Sequence, residues 1–229
     1  MANKNVPSRT YLDSTNKRVL GLTIILYFVF LVSDQLVSQQ DKSVTLVCGM
    51  SMLFLGLCWL RRNQSIESGK SGQLKRLTKS QYLQVGLYVG IAFLLEAAVS
   101  LVAIFTGSKS YSSNTNQILK MIQAQPEIVL YVSLVAPFIE ELVFRQSVFG
   151  LILNGLNKLF QRETKATVII AALLTGIAFS AAHGDSVIGI YVLMSLFLQW
   201  IYWKQKDVRI NMMVHASINI ISLITLLLN

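Results

Sequence analysis

The sequence predicts an all-α membrane protein, a polytopic bundle of about seven transmembrane helices around an intramembrane polar cavity. Of its 229 residues, 53% are hydrophobic and only 14% are charged, against about 25% charged residues in a typical soluble domain. The apolar residues cluster in long runs instead of following amphipathic patterns. A transmembrane helix takes roughly 20 residues, so seven of them leave length only for short loops and exclude a separate soluble domain.

Seven apolar runs are long enough to form these helices. Their approximate bounds are 19–38, 44–60, 82–105, 127–153, 166–183, 186–203 and 210–228. We expect residues 1–126 to supply N-terminal membrane helices with a basic loop at 61–80, and residues 127–229 to form the core that carries the chemistry. Both parts are expected to pack as one integral-membrane domain.

The distribution of Lys and Arg predicts the orientation of the bundle. Sixteen of the 20 basic residues lie in the segments 1–18, 61–80, 154–165 and 204–209, which share one side of the membrane if seven helices alternate. The positive-inside rule then places the N-terminus in the cytoplasm, in a chain whose short loops are compatible with a bacterial cell membrane. The net charge of +9 is therefore attributed to contact with the lipid bilayer, and no nucleic-acid partner is expected.

Polar and ionisable side chains inside the predicted helices require an explanation, because each costs about 2.5–3.5 kcal/mol to insert. The candidates are Asp34, Glu96, Glu140, Glu141, Arg145, His183, Asp185, His215 and Asn219. Both histidines of the chain are in this set, which predicts a common polar site. Glu96 stands apart from the others, and we expect it to be a protonated structural residue.

The fourth predicted helix combines an ion pair with an additional carboxyl group. Glu141 and Arg145 are four residues apart and share a helix face, so they can neutralise each other. Glu140 is rotated by about 100° and lies outside this pair. Pro137 has no N–H and frees a carbonyl one turn earlier, which often marks a kink beside a cavity. An ion pair that only locks neighbouring helices is the alternative interpretation.

The other candidates lie on the fifth and seventh helices. His183 ends one run, while His215 and Asn219 share a face of another. Alone, His183 is also explained by an interfacial position, and His215 and Asn219 are also explained by inter-helix hydrogen bonds worth about 0.6 kcal/mol on average. Together with Glu140 they have the chemistry of peptide hydrolysis. A carboxylate can deprotonate water, imidazole can orient that water or bind a metal, and N–H groups can stabilise an oxyanion.

The sequence resembles a known family in the motifs that contain these residues. Three motifs occur in the order in which that family carries them, namely Glu140-Glu141-x-x-x-Arg145, Phe179-x-x-x-His183 and His215-x-x-x-Asn219. The family is the CAAX-protease and bacteriocin-processing group of intramembrane endopeptidases, which includes the type II CAAX prenyl endopeptidases. The resemblance covers roughly residues 127–219.

The resemblance implies a role for each matching residue. Glu140 would be the general base that activates the attacking water, and His183 would help to hold that water. His215 and Asn219 would stabilise the tetrahedral oxyanion. The remaining motif residues would be supporting ones: Glu141, Arg145 and Phe179.

The cofactor and the physiological role stay open at this level. Glu140, His183 and His215 could bind zinc, but the chain has no His-Glu-x-x-His helix, and we favour metal-free glutamate chemistry. The expected function is an intramembrane endopeptidase acting on a membrane-associated protein or peptide, in peptide maturation or bacteriocin self-immunity. The alternatives are a non-catalytic membrane immunity or binding protein of the same fold and a transporter, although no repeated halves are visible.

A catalytic site requires Glu140, His183 and His215 to lie close together in the folded protein. Strictly alternating helices put Glu140 mid-span, His183 near the outer face and His215 about 8 Å from the inner face. The three side chains converge only if the fifth helix begins later than Thr167 or the turn that follows His183 enters the bundle.

Overall fold

Every regular element that the structure describes is a helix. The computed structural model describes residues 16–36, 42–61, 76–106, 113–185 and 187–228. Its eight helices are α1 (Asn16–Leu36), α2 (Lys42–Arg61), α3 (Lys79–Thr106), α4 (Ser113–Ala124), α5 (the continuous segments Ile128–Leu130, Tyr131–Val135, Ala136–Glu140, Glu141–Val148 and Phe149–Leu159), α6 (Lys165–His183), α7 (Ile188–Gln205) and α8 (Val208–Leu228). The predicted all-α membrane bundle is confirmed. Most of the basic loop expected at 61–80 lies outside the described residues.

Among the described residues, three helices are long and apolar enough to cross a membrane by length and composition. They are Lys79–Val102 in α3, Lys165–His183 in α6 and Val208–Leu228 in α8. Their outer faces carry large apolar side chains that the rest of the chain leaves uncovered, among them Leu94, Ile177 and Ile224. Such faces match lipid rather than water, because soluble monomers rarely expose apolar patches of this extent.

The short helix α4 is an element that the apolar runs do not reveal. Its twelve residues are too few to cross a bilayer, and its apolar residues form a stripe with helical spacing. Ile118 and Ile122 of that stripe pack against Ile128 at the start of α5 and Leu223 of α8. This packing explains how a mostly polar segment folds as a helix between α3 and α5.

The helix α5 lies at the centre of the bundle. Its residues Ile139, Leu142 and Phe144 belong to a buried cluster, in which they pack with the following residues of α1, α2, α6 and α8: Tyr27, Leu53, Leu57, Phe179 and Val208. A second buried cluster joins α3, α7 and α8. Any side chain on α5 that points away from these apolar contacts can therefore meet groups from several helices.

The backbone of α5 widens on both sides of Glu140. The segments Tyr131–Val135 and Glu141–Val148 are π-helical, and Ser147 Oγ donates to the carbonyl of Leu142, five residues earlier, over 3.0 Å. Pro137 lies in the α-helical segment between them, where it has no N–H to donate. Wide turns of this kind occur frequently at functional sites, since they re-aim the side chains of a helix.

The level of His183 follows from two helical segments of similar length. Leu159 at the end of α5 comes 19 residues after Glu140, and His183 comes 18 residues after Lys165 at the start of α6, which corresponds to roughly 27–28 Å of α-helix in each case. A short connection joins these segments, so Glu140 and His183 lie at the same depth. The proposed later start of the fifth helix is wrong, because Thr164 and Thr167 form a capping box that begins α6 at Lys165.

The residues directly after His183 are covered by α4. Gly184 ends α6 with φ of 59°, a left-handed conformation that glycine adopts without strain. Asp185 follows it and is buried, and the backbone N–H of Asn114 in α4 lies 3.4 Å from the Asp185 carboxylate. The helix α4 thus closes over the turn.

We expect Gly184→Ala to lower the free energy of unfolding by about 1–2 kcal/mol, since an L-residue is disfavoured in the left-handed region. No neighbouring atom would contact the added methyl group at this position, so the backbone alone sets the cost. Gly86→Ala, in the middle of α3 with open space around it, is the matched control and should instead gain roughly 0.5–1 kcal/mol. Reversible unfolding in detergent micelles, followed by circular dichroism, measures both values. Equal effects of the two substitutions would contradict the assigned helix end.

Candidate active site

Three ionisable side chains from three helices meet beside the centre of α5. Glu140 Oε2 lies 4.0 Å from Nε2 of His183 in α6 and 3.8 Å from Nε2 of His215 in α8. Their side chains retain 14%, 17% and 10% of their exposure, respectively. The depths of these three predicted residues therefore converge, and each side chain keeps a small exposed surface.

The neighbouring carboxylate of Glu141 is fully buried and bound on both oxygens. Its Oε2 accepts from Arg145 Nε over 3.0 Å and from Asn211 Nδ2 over 3.2 Å. Its Oε1 lies 2.9 Å from His215 Nδ1. Arg145, which is also fully buried, donates through Nη1 to the carbonyl and hydroxyl oxygens of Ser195 in α7. The ion pair that the sequence predicts is present, and it connects α5 to α7 and α8.

Hydrogen bonding fixes which nitrogen of each imidazole carries a proton. His183 Nδ1 lies 2.8 Å from the carbonyl oxygen of Phe179, and a carbonyl only accepts, so this nitrogen must donate. His215 Nδ1 likewise donates to the Glu141 carboxylate, which is already paired with Arg145. In the neutral form of both rings, Nε2 is therefore the acceptor nitrogen, and it lies 4.0 Å from Glu140 in His183 and 3.8 Å in His215.

The result is a cluster of three acceptors, and no donor in the part of the chain that the structure describes joins them directly. Separations of 3.8 and 4.0 Å are too long for a hydrogen bond, but they suit groups that share one bridging molecule. A water molecule can donate its two hydrogens to such a set and keep its lone pairs for an electrophile. The arrangement can thus orient a water next to a carboxylate that is able to accept its proton.

Aromatic rings form the walls around the imidazoles. The ring centre of Phe179 lies 4.5 Å from that of His183 and 6.2 Å from that of His215, and the Arg145 guanidinium lies 5.2 Å from it. The predicted supporting residue Phe179 therefore contacts both histidines. On α7, the Tyr191 ring lies 4.3 Å from the His183 ring.

Asn219 lies on the same helix as His215, but its described hydrogen bond is to a backbone carbonyl of α5. Its Nδ2 donates to the carbonyl of Val132 over 3.0 Å, in the first π-helical segment of α5. No described contact joins it to Glu140 or to either histidine. One hydrogen of this amide thus ties α8 to α5, and the predicted oxyanion role depends on the other.

The distances between Glu140 and the two histidines can be compared with those of a zinc site. Tetrahedral zinc with bonds of about 2.0–2.1 Å brings its ligand atoms to roughly 3.3 Å from one another, closer than the separations of 3.8 and 4.0 Å between Glu140 and the histidines. Within the described ranges, no group of three His, Cys, Asp or Glu side chains is arranged to hold a metal ion. As they are placed, Glu140, His183 and His215 lie too far apart to fit tetrahedral zinc.

Several residues of the site escape the sequence motifs. They are Asn211, Ser195, Tyr191, Asp185 and Asn114. Asn211 could have been found, because it is a polar residue inside a predicted helix, four positions before His215 on the same face. Asp185 is suggested by its place two residues after His183, where it could orient that histidine or simply face water. The other three follow only from how the helices pack. Glu96 lies on α3, partly buried, and none of the contacts described above involves it.

Comparison with known proteins agrees with the three motifs. Residues 123–221 match the family model described as type II CAAX prenyl endopeptidase Rce1-like. This match spans all three motifs and confirms the resemblance in the second part of the chain. No solved structure matches the chain significantly.

Two curated bacterial proteins are similar to this chain. The putative membrane peptidase YdiL of Bacillus subtilis (strain 168) is 27% identical over 144 residues, which cover 57% of this chain and 55% of that protein. The membrane-embedded CAAX protease MroQ of Staphylococcus aureus (strain USA300) is 26% identical over 146 residues, with 63% and 57% covered. The chain thus spans a little more than half the length of these relatives.

We expect Arg145→Leu to lower the free energy of unfolding by about 3–5 kcal/mol, because it leaves the buried carboxylate of Glu141 without its cationic partner. The matched control is Arg162→Leu, since Arg162 lies exposed between α5 and α6 and should change stability by no more than about 0.5 kcal/mol. Denaturant unfolding of both variants in the same detergent gives the comparison. A loss below 1 kcal/mol for Arg145→Leu would show that Glu141 does not depend on this pair.

Proposed function

We propose that this protein is an intramembrane endopeptidase that hydrolyses a peptide bond of a membrane-associated protein or peptide, using a water molecule activated by Glu140. One observation carries the proposal. Two imidazole Nε2 atoms lie within 4.0 Å of the Glu140 carboxylate, while each Nδ1 is held by an acceptor. The Rce1-like match and the peptidase and protease names of the relatives support the reaction class.

The reaction begins with attack of water on the peptide carbonyl carbon. Glu140 accepts one proton from the water as its oxygen forms the new bond, and the carbonyl electron pair moves onto oxygen to give a tetrahedral oxyanion. Glu140 then returns the proton to the amide nitrogen as the C–N bond breaks. A carboxylic acid and an amine leave, and the carboxylate of Glu140 is restored.

The two histidines have different tasks in this scheme. His183 is anchored only through a backbone carbonyl, which suits a residue that orients neutral water. His215 is anchored by the carboxylate of Glu141, which favours a positive charge on the imidazole. As the oxyanion forms, His215 Nε2 takes up a proton from solvent and donates a hydrogen bond to that oxygen, and the proton returns to solvent when the intermediate breaks down. Asn219 would be a second donor to that oxyanion through its remaining N–H.

The surrounding helices support this chemistry by limiting the access of water. Charges and dipoles act more strongly in a site of low dielectric constant than in bulk water. We place the protein in a bacterial cell membrane with its N-terminus in the cytoplasm, following the distribution of its basic residues. Peptide maturation and bacteriocin self-immunity are the roles that we propose for the cleavage.

Substitution of Glu140→Gln should abolish the cleavage while leaving the protein in the membrane. Loss of a general base lowers a rate by typically 10²–10⁴-fold, and Gln keeps the size of the side chain. The test compares new peptide termini, identified by mass spectrometry in membranes and medium, between cells that express the wild type and cells that express the variant at equal abundance.

The control for this experiment is Glu127→Gln, which removes an exposed carboxyl group before α5 and should leave all termini unchanged. Termini that disappear only in the Glu140 variant would establish proteolysis and name the substrate. If no terminus changes while a cellular phenotype persists, the protein acts by binding a partner and the proposal fails.

Chelation should leave the activity intact, because the proposed steps use only side chains and water. Membranes treated with 1,10-phenanthroline are expected to generate the termini that depend on Glu140 at the rate of untreated membranes. Inhibition that added zinc reverses would contradict the metal-free mechanism.

A further inference from the structure

The imidazole of His183 depends on neighbouring side chains for its orientation. His183 is the last residue of α6, so no further turn of helix supports it. Its one described hydrogen bond, from Nδ1 to the carbonyl of Phe179, comes from its own helix. The ring packs between two aromatic side chains, with centres 4.5 Å from Phe179 and 4.3 Å from Tyr191.

Of these two aromatic residues, Tyr191 is held from outside the helix of His183. Its hydroxyl donates to Asp185 Oδ2 over 3.3 Å and accepts from Asn114 Nδ2 of α4 over 3.3 Å. The planes of the Tyr191 and His183 rings differ by 31°, close to a stacked arrangement. A rotation of the Tyr191 ring would therefore disturb the face of the imidazole directly.

Asp185 is fixed by more than Tyr191. Besides that hydroxyl, the backbone N–H groups of Asn114 and Val187 each lie 3.4 Å from its carboxylate oxygens, and its side chain is buried. The described contacts of this carboxylate thus lead to the tyrosine, to α4 and to Val187, and they reach the imidazole through the tyrosine ring.

We infer that Tyr191 is a positioning residue for His183, whose ring it holds in the plane that directs Nε2 at Glu140, and that Asp185 and Asn114 anchor its hydroxyl. The inference rests on the proposed function for its effect on catalysis, although the packing contact can be tested without any activity. It also assigns a task to α4, which joins the site through Asn114.

Carbethoxylation of the histidines by diethyl pyrocarbonate tests this contact. The chain has only two histidines, so protein purified without a histidine tag gives a rate for His183 and an internal reference from His215. Tyr191→Leu opens one face of His183 and should raise the ratio of the two rates by about two- to tenfold, the range that an aromatic pair supports. Tyr191→Phe keeps the ring and should raise it less.

The matched control is Tyr82→Leu, which removes an exposed tyrosine of α3 and should leave the ratio unchanged. An unchanged ratio in Tyr191→Leu would overturn the inference. It would also be overturned if the rates of both histidines rose together, since Tyr191 would then support the whole fold rather than His183.

A second measurement connects the contact to cleavage. The termini that depend on Glu140 should accumulate more slowly in Tyr191→Leu and be largely restored in Tyr191→Phe. The loss in the double variant Asp185→Asn/Tyr191→Phe should be smaller than the sum of the two single losses, because the hydrogen bond between Tyr191 and Asp185 is weakened or lost in each of them; additive losses would contradict the anchoring role. If Glu140→Gln leaves every terminus in place, the proposed function fails, while the labelling ratio still decides whether Tyr191 positions His183.

Discussion

The carboxylate of Glu141 is the group on which the geometry of the site depends. It is buried in the centre of the bundle and receives hydrogen bonds from Arg145, Asn211 and His215. A buried charge without partners is strongly destabilising, so the helices that carry these partners must pack in one register. The same contacts that stabilise the carboxylate therefore fix the orientation of His215 and bring α8 against α5.

The two adjacent glutamates have different roles because their side chains lie in different surroundings. Glu141 is sealed and paired, while Glu140 retains some exposure and faces two imidazole nitrogens. The π-helical turns that flank Glu140 allow one helix to serve both needs. The residue proposed for the chemistry and the residue that stabilises the bundle are thus neighbours in the chain. Each histidine is held through Nδ1, which leaves Nε2 for the water that it would orient.

Part of this arrangement could be predicted from the sequence. The pairing of Glu141 with Arg145 follows from their spacing on one helix, and the apolar runs identify seven of the helices. The depth of His183 in the membrane could not be predicted, because alternating spans of equal depth would separate this residue from Glu140. The contact between Glu141 and His215 depends on how α5 and α8 cross, which no local pattern contains. The helix α4 and the tyrosine beside His183 escape for the same reason, since their order comes from tertiary packing.

The most direct test of this account is the tautomer of each imidazole, because the orientation of water requires both Nε2 atoms to be acceptors. Nitrogen-15 NMR of histidine-labelled protein, purified without a histidine tag and measured at a pH where both rings are neutral, distinguishes the two tautomers. The account predicts that both histidines carry the proton on Nδ1. A proton on Nε2 of either ring would contradict it, because that nitrogen would then donate to Glu140 and leave no acceptor for the water.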